Sequence, residues 1–265
     1  GILSYMDGYG TNESVYTEYL NIKTESDPKI IESGAVFTDR ESLDIAIAAW
    51  IDNETSATET YGDINTWDVS AITDFSALFQ GQTTFNSDIS NWDVSNGTSF
   101  YEVFQGATLF NQDIGDWDVS NGTNFDSIFE RANFFNQDIG NWDVSNGNDF
   151  GEMLRDAIHF NQDIVGWDVS KGIDLTQMFQ GATSFKQDLS TWKISEDANL
   201  RDMFLESNLM LTTMGFNATP IFSDFNQGSE EIPEPEPEPE PIPGPKPTPG
   251  VTEPYQTVST SSDDI

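Results

Sequence analysis

The chain has 265 residues, no cysteine, and 46 Asp and Glu against 10 Lys and Arg, for a formal charge of −36. Such a charge repels phosphates and argues against nucleic acid as a partner, while the missing cysteines exclude disulfides and thiolate chemistry. No run of about 18 apolar residues occurs, so no membrane insertion is expected within this chain; any leader or anchor is expected outside it, because residue 1 is Gly.

Residues 1–36 show no clear periodicity, although the apolar groups at 15–20 and 29–31 suit short strands or a packed arm. Thr38 or Asp39 can cap a helix in which Leu43, Ile47, Trp50 and Ile51 recur at helical spacing, so residues 37–62 read as a capping helix and entry. From there Trp67, Trp92, Trp117, Trp142, Trp167 and Trp192 fall on a 25-residue series. A fixed period in this range predicts a stack of about six repeats over 63–215, because one such unit cannot bury its apolar face alone. Extra apolar residues from Leu200 to Met214 suggest a covered end, with a cap and exit over 216–231. Residues 232–250 alternate Pro with Glu and then other residues, which predicts an extended spacer, and the Ser/Thr-rich residues 251–265 read as a disordered tail.

Within one repeat, Trp92 and Val94 alternate with polar Asp93 and Ser95, the period of a short strand. Phe100, Val103, Phe104 and Ala107 follow at i, i+3, i+4, i+7, with Thr98 or Ser99 as cap, which predicts a short helix from Ser99 to about Gln105. The expected fold class is therefore α/β: a solenoid of strand, turn and short helix per repeat, leucine-rich-repeat-like. Its thin strands and thicker helices would bend it into an arc with strands inside.

Three polar columns recur. Asn86, Asn111, Asn136 and Asn161 read as a side-chain ladder that Lys186 interrupts. Asp88, Asp113, Asp138, Asp163 and Asp188 form one acidic column, and Asp68, Asp93, Asp118, Asp143 and Asp168 a second. Unit charges ~5 Å apart repel by about 3 kcal/mol at an effective dielectric of 20, so each column needs an offset. Either the carboxylates accept backbone N–H bonds in Asx-turns, or Ca²⁺ bridges them; the missing Gly-rich D-x-D loops favour the turns. His159 stands where Thr84, Leu109, Phe134 and Ser184 stand in other copies, a tolerant surface position rather than a catalytic one.

The unit F-N-x-D-I-x-x-W-D-V-S-N-x-T-x-F-x-x-x-F-x-G-A, read from Phe85 to Ala107, resembles the repeat of the BspA-type leucine-rich-repeat surface proteins of bacteria, which include mycoplasmal and marine bacterial lipoproteins. The likeness spans about residues 37–215. Phe100, Phe125 and Phe150 stand where many relatives carry Met, a change within the core. The resemblance implies an extracellular or cell-surface location and adhesion to a protein or glycan on another cell or matrix.

Neither a nucleophile constellation nor a phosphate loop is present, so no enzyme activity and no cofactor beyond the calcium just named is expected. The alternatives are a calcium-stiffened structural spacer of a surface layer and a polysaccharide-acting hydrolase, the latter opposed by acids that repeat instead of forming one asymmetric pair. Binding specificity is expected where the copies disagree: Tyr101 and Glu102, Asp126 and Ser127, Glu152 with Arg155, and Thr176 with Gln177.

Overall fold

A computed structural model describes residues 34–225. The expectations for residues 1–33, for the Pro-Glu spacer and for the tail lie outside the described residues. Two helices open the described part. Helix α1, Arg40–Asp52, is capped by Asp39, whose carboxylate accepts from Ser42 N, and it buries Leu43, Ala46, Ile47 and Trp50. Helix α2, Glu54–Tyr61, follows at once, capped by Asn53 through Ser56 N, and buries Ala57 and Tyr61.

The repeats that follow are neither strand nor helix. Among the described residues there is no sheet, only isolated parallel bridges: one joins Val36 to Asp68, and the others link Asp74, Ser99, Asn124, Asp149, Asp174 and Asn199 in one 25-residue column. The leucine-rich-repeat-like α/β solenoid is therefore overturned, and with it the difference between strand and helix thickness from which an arc was expected. Each repeat is instead a run of tight turns stacked on its neighbour.

The segment expected to be helical shows why. Phe75, Ala77, Phe79 and Gly81 donate their N–H groups to Ser99, Tyr101, Val103 and Gln105 of the next repeat at 2.7–2.9 Å. The intervening Leu78, Gln80 and Gln82 donate three residues back to Phe75, Ala77 and Phe79. Ala77 and Gly81 have φ of 57° and 70°, so the turns Phe75–Leu78 and Phe79–Gln82 carry a left-handed third residue, the mark of type II turns. The same two positions are left-handed in every repeat: Glu102 and Gly106, Ser127 and Arg131, Glu152 and Asp156, Gln177 and Gly181, Asp202 and Glu206. An α-helix admits no such residue, and a turn repeating every four residues imitates i, i+3, i+4, i+7 apolar spacing.

The W-D-V-S stretch is likewise built of turns. Trp92 N bonds Ile89 O, Ser95 N bonds the Asp93 carboxylate, and Gly97 N bonds Val94 O. Trp92 and Val94 are buried and Asp93 is exposed, so the alternation describes burial correctly while the backbone turns between each pair. Each indole finds a partner in the preceding copy: Trp92 donates to Ile64 O, Trp117 to Ile89 O, Trp142 to Ile114 O, Trp167 to Ile139 O and Trp192 to Ile164 O, at 2.7–3.2 Å. A buried indole N–H left unpaired would cost about 1–3 kcal/mol, so this bond fixes each ring in its layer.

The core consists of aromatic columns. Phe75, Phe100, Phe125 and Phe150 stack at 5.6 Å with ring planes 2–10° apart. Phe85, Phe110, Phe135, Phe160 and Phe185 stack at 5.9–6.0 Å. Phe104 and Phe110 face each other across two columns at 3.9 Å, as do Phe129 and Phe135. Gly122 lies under one of these rings: a Cβ there would meet the tip of Phe125 at 2.4 Å.

Both ends of the array are closed by substitutes for a missing neighbour. In the first repeat Asp74 O and Ser76 O occupy the positions where Ser99 O and Tyr101 O accept from the copy before. Arg40 of α1 fills them, donating from Nη1 to Asp74 O at 3.0 Å and from Nη2 to Ser76 O at 2.6 Å. In the last repeat the donors need acceptors: Phe204 N bonds Ala218 O at 2.9 Å and Asp202 N bonds Thr219 Oγ1 at 2.8 Å. Helix α3, Asn208–Thr212, buries Met210, and Phe216 packs between Phe204 and Phe225 at 5.0 and 5.3 Å.

Charge-assisted hydrogen bonds contribute about 1.5–3 kcal/mol each, less where water reaches them. Arg40→Ala is therefore expected to lower stability by about 2 kcal/mol and to raise amide exchange first in residues 67–82, measured by denaturant unfolding and hydrogen exchange; Arg40→Lys, with no planar fork, recovers only part of it.

Candidate functional site

The two aspartate columns lie on the surface as turn caps. Asp88, Asp113, Asp138, Asp163 and Asp188 each accept the backbone N–H two residues ahead at 2.9–3.0 Å. Asp68, Asp93, Asp118, Asp143 and Asp168 do the same to Ser70, Ser95, Ser120, Ser145 and Ser170 at 3.0 Å. Serine bonding holds the Asp68, Asp143, Asp168 and Asp188 carboxyls below the usual carboxylate range. Among the described residues no three acidic or histidine side chains gather in a way that would hold a metal ion.

The asparagines also serve the backbone. Asn86, Asn111, Asn136 and Asn161 each accept, through Oδ1, the main-chain N–H one repeat later, at 2.8–3.0 Å. Lys186 ends the series without breaking it, because only its N–H is needed. A second asparagine ladder, not anticipated from the sequence, runs through Asn96, Asn121 and Asn146, which donate to Ser70 O, Ser95 O and Ser120 O.

Where the copies disagree, the structure places two clusters. In the first, Asp126 is half-buried, accepts from Ser127 Oγ, and is pushed up to about 6 by burial, with Asp149, Glu152 and Asp174 adding to it. Burial raises Asp149 as well. Hydrogen bonding to Glu102 pushes Tyr101 up to about 12. Thr176 Oγ1 is buried without a hydrogen-bond partner.

The second cluster lies four to five residues further along each repeat. A polar ladder runs from Gln80 to Gln105 at 2.6 Å and from Gln105 to Glu130 at 2.5 Å. Glu130, only 3% exposed, is then met by Arg131 at 3.3 Å and Arg155 at 3.6 Å, and Arg155 also pairs with Glu152 at 2.5 Å. Beside this ladder an open groove of about 570 Å³ crosses four repeats. One wall is the left-handed column Gly81, Gly106, Arg131 and Asp156; the other is Thr83, Thr108, Asn133 and Ile158. A Cβ on Gly81 would meet no atom within 4 Å, so that position faces open space.

Arg131 and Asp156 stand in that column at φ of 57° and 55°, where the first, second and fifth repeats carry glycine. A left-handed non-glycine residue costs on the order of 1 kcal/mol. Their ion pair at 3.7 Å is exposed and offsets little of it. With its amide nitrogen turned inward, Asn133 donates to Asp156 O at 3.0 Å and Arg131 O at 3.1 Å, which helps hold both. Next in the chain after lining residues Thr108 and Asn133, Leu109 and Phe134 are 45% and 49% exposed, and Phe134 stacks on His159 at 5.0 Å with planes 13° apart. His159 is thus a surface residue, its Nδ1 2.7 Å from Asn133 O.

A family model described as mycoplasma protein of unknown function, DUF285, matches residues 49–153 and again 123–215, together more than half of the chain. The chain belongs to that family. DUF285 is a repeat family related to the BspA-type surface proteins, and the overlapping matches fit an array whose period lets one model align in two registers. The leucine-rich-repeat assignment within that resemblance does not carry over to this DUF285 chain. No curated protein and no solved structure matches it. Among the described residues no helix is long and apolar enough to cross a membrane.

Two outcomes follow from these geometries. Asp126, raised in the folded state, costs stability while ionised, so the melting temperature should rise as pH falls from 8 through 6 toward 5. It should then decline below about 4 as Asp68, Asp143, Asp168 and Asp188 protonate. Asp126→Asn is expected to flatten the first limb only, as read by calorimetry across pH. Asp118→Ala should lose about 0.5–1 kcal/mol and Asp118→Asn almost nothing, with the melting temperature unchanged between Ca²⁺ and chelator; a large chelator effect would instead show calcium in the columns.

Proposed function

We propose that this chain is a non-catalytic binding module, displayed at a cell surface or secreted, of the kind the BspA-type resemblance implies. The observation that carries the reading is the placement of variation between copies. Trp, Val and Phe of the core columns are nearly uniform, whereas the groove column reads Gly, Gly, Arg, Asp along the four repeats it crosses, and the neighbouring column three residues on in the chain reads Thr, Leu, Phe, His, Ser over five. Left-handed charged residues also occur in the other turn column, at Glu102, Glu152 and Asp202, and Arg131 meets buried Glu130 at 3.3 Å, so it is the variation along the groove, not backbone strain, that supports the reading. The recurring aspartates support the same reading, because each caps its own turn and none forms the asymmetric pair that hydrolysis requires.

A polysaccharide hydrolase is the second reading, favoured by one observation: Asp126 is a half-buried carboxyl raised to about 6 beside other acids. Turnover on a polysaccharide panel that Asp126→Asn abolishes, and Asp118→Asn does not, would establish it over the first.

The binding reading is tested by probing glycan and extracellular-matrix protein arrays with the full chain, in calcium and in chelator. Binding to at least one ligand class is expected; blank arrays under both conditions would falsify it.

A further inference from the structure

We propose that the groove lined by Gly81, Gly106, Arg131 and Asp156, together with the exposed Phe134–His159 stack that follows its Asn133 and Ile158 in the chain, binds a neutral linear glycan. The proposal rests on the binding-module reading and names the ligand class for it.

Four observations converge on an uncharged, hydroxyl-rich chain. The groove runs across four repeats and so offers successive positions along one line, which suits a polymer of similar units. Its polar side chains include both donor and acceptor: the Arg131 guanidinium lies 3.7 Å from the Asp156 carboxylate, and Thr108 and Asn133 also line it. This pairing suits hydroxyl groups, which both donate and accept, and leaves the floor locally neutral. The exposed Phe134 and Leu109 add an apolar edge for the C–H faces of sugar rings. A chain of formal charge −36 disfavours anionic glycans.

The backbone argues against a peptide. Pairing with an added strand needs free main-chain groups along an edge. Here many of them are already used: Leu109 N bonds Thr83 O, Phe134 N bonds Thr108 O and His159 N bonds Asn133 O. On the other wall Gly106 N bonds Glu130 O and Arg131 N bonds Arg155 O. Recognition therefore falls to side chains. The left-handed Arg131 and Asp156 supply two of them at a cost in backbone conformation.

The test uses the full chain in affinity electrophoresis against β-glucan, xylan, galactomannan and dextran, with alginate and heparin as anionic controls and immobilised matrix proteins as a separate arm. At least one neutral polysaccharide is expected to retard the protein. Phe134→Ala, and the double variant Arg131→Gly with Asp156→Gly, should each weaken that retardation about tenfold or more, with circular dichroism and melting curves checking that each variant is folded, since the double variant leaves buried Glu130 with Arg155 alone. Ile173→Ala, at an exposed apolar position outside the groove lining, should change nothing. No retardation by any neutral polysaccharide, or retardation that the groove variants leave intact, overturns the proposal. If matrix proteins bind while neutral glycans do not, the glycan assignment fails and the binding module stands; if neither binds, both fall.

Discussion

Everything in this array depends on how its backbone hydrogen bonds are divided. In the stacked turns, alternate N–H groups point along the stack to the next copy, and those between them close turns within their own copy. That division is possible only if the chain reverses its handedness twice per repeat, at positions such as Ala77 and Gly81. A sheet would send all its bonds sideways and a helix none. The observed backbone does both within eight residues, and the aromatic columns, spaced by the same stacking, fill the interior that results.

This arrangement explains why polar residues of the repeat are so uniform without being catalytic. Turn-rich backbone exposes N–H groups that no regular ladder satisfies, and short side chains must satisfy them. Asp93, Asp118 and Asn111 serve the main chain, as does the indole of Trp117 from the interior. Function is then left to positions the turns do not use. The groove column belongs to the turn machinery, yet its side chains vary from Gly81 and Gly106 to Arg131 and Asp156, all of them left-handed.

Much of this was legible in the sequence. The 25-residue period gave the stacking, Asp39 with Leu43, Ile47 and Trp50 marked α1, and the absence of Gly-rich D-x-D loops around the recurring aspartates favoured Asx-turns over calcium. The secondary structure of the repeat was not legible, because burial alternating at Trp92 and Val94 does not distinguish a strand from linked turns. Apolar residues at Phe100, Val103, Phe104 and Ala107 likewise fit a four-residue turn period as well as 3.6. One signal was available: glycine at 81, 106 and 181 recurs in a single column, which a helix C-terminus and a left-handed turn both explain. Helix α2 was missed because its residues carry little apolar periodicity, and the groove because it arises from residues in four copies whose sequence positions differ by 25.

The closures by Arg40 and by Ala218 with Thr219 give the array two chemically opposite ends, one with carbonyls to satisfy and the other with N–H groups. Between them every boundary is the same. A 25-residue segment inserted or deleted at any internal boundary therefore meets the donors and acceptors it leaves behind, and both closures still fit. Array length is in this sense a parameter independent of foldability. A lineage can lengthen or shorten the groove one turn-layer at a time, by recombination within the gene, without redesigning either end.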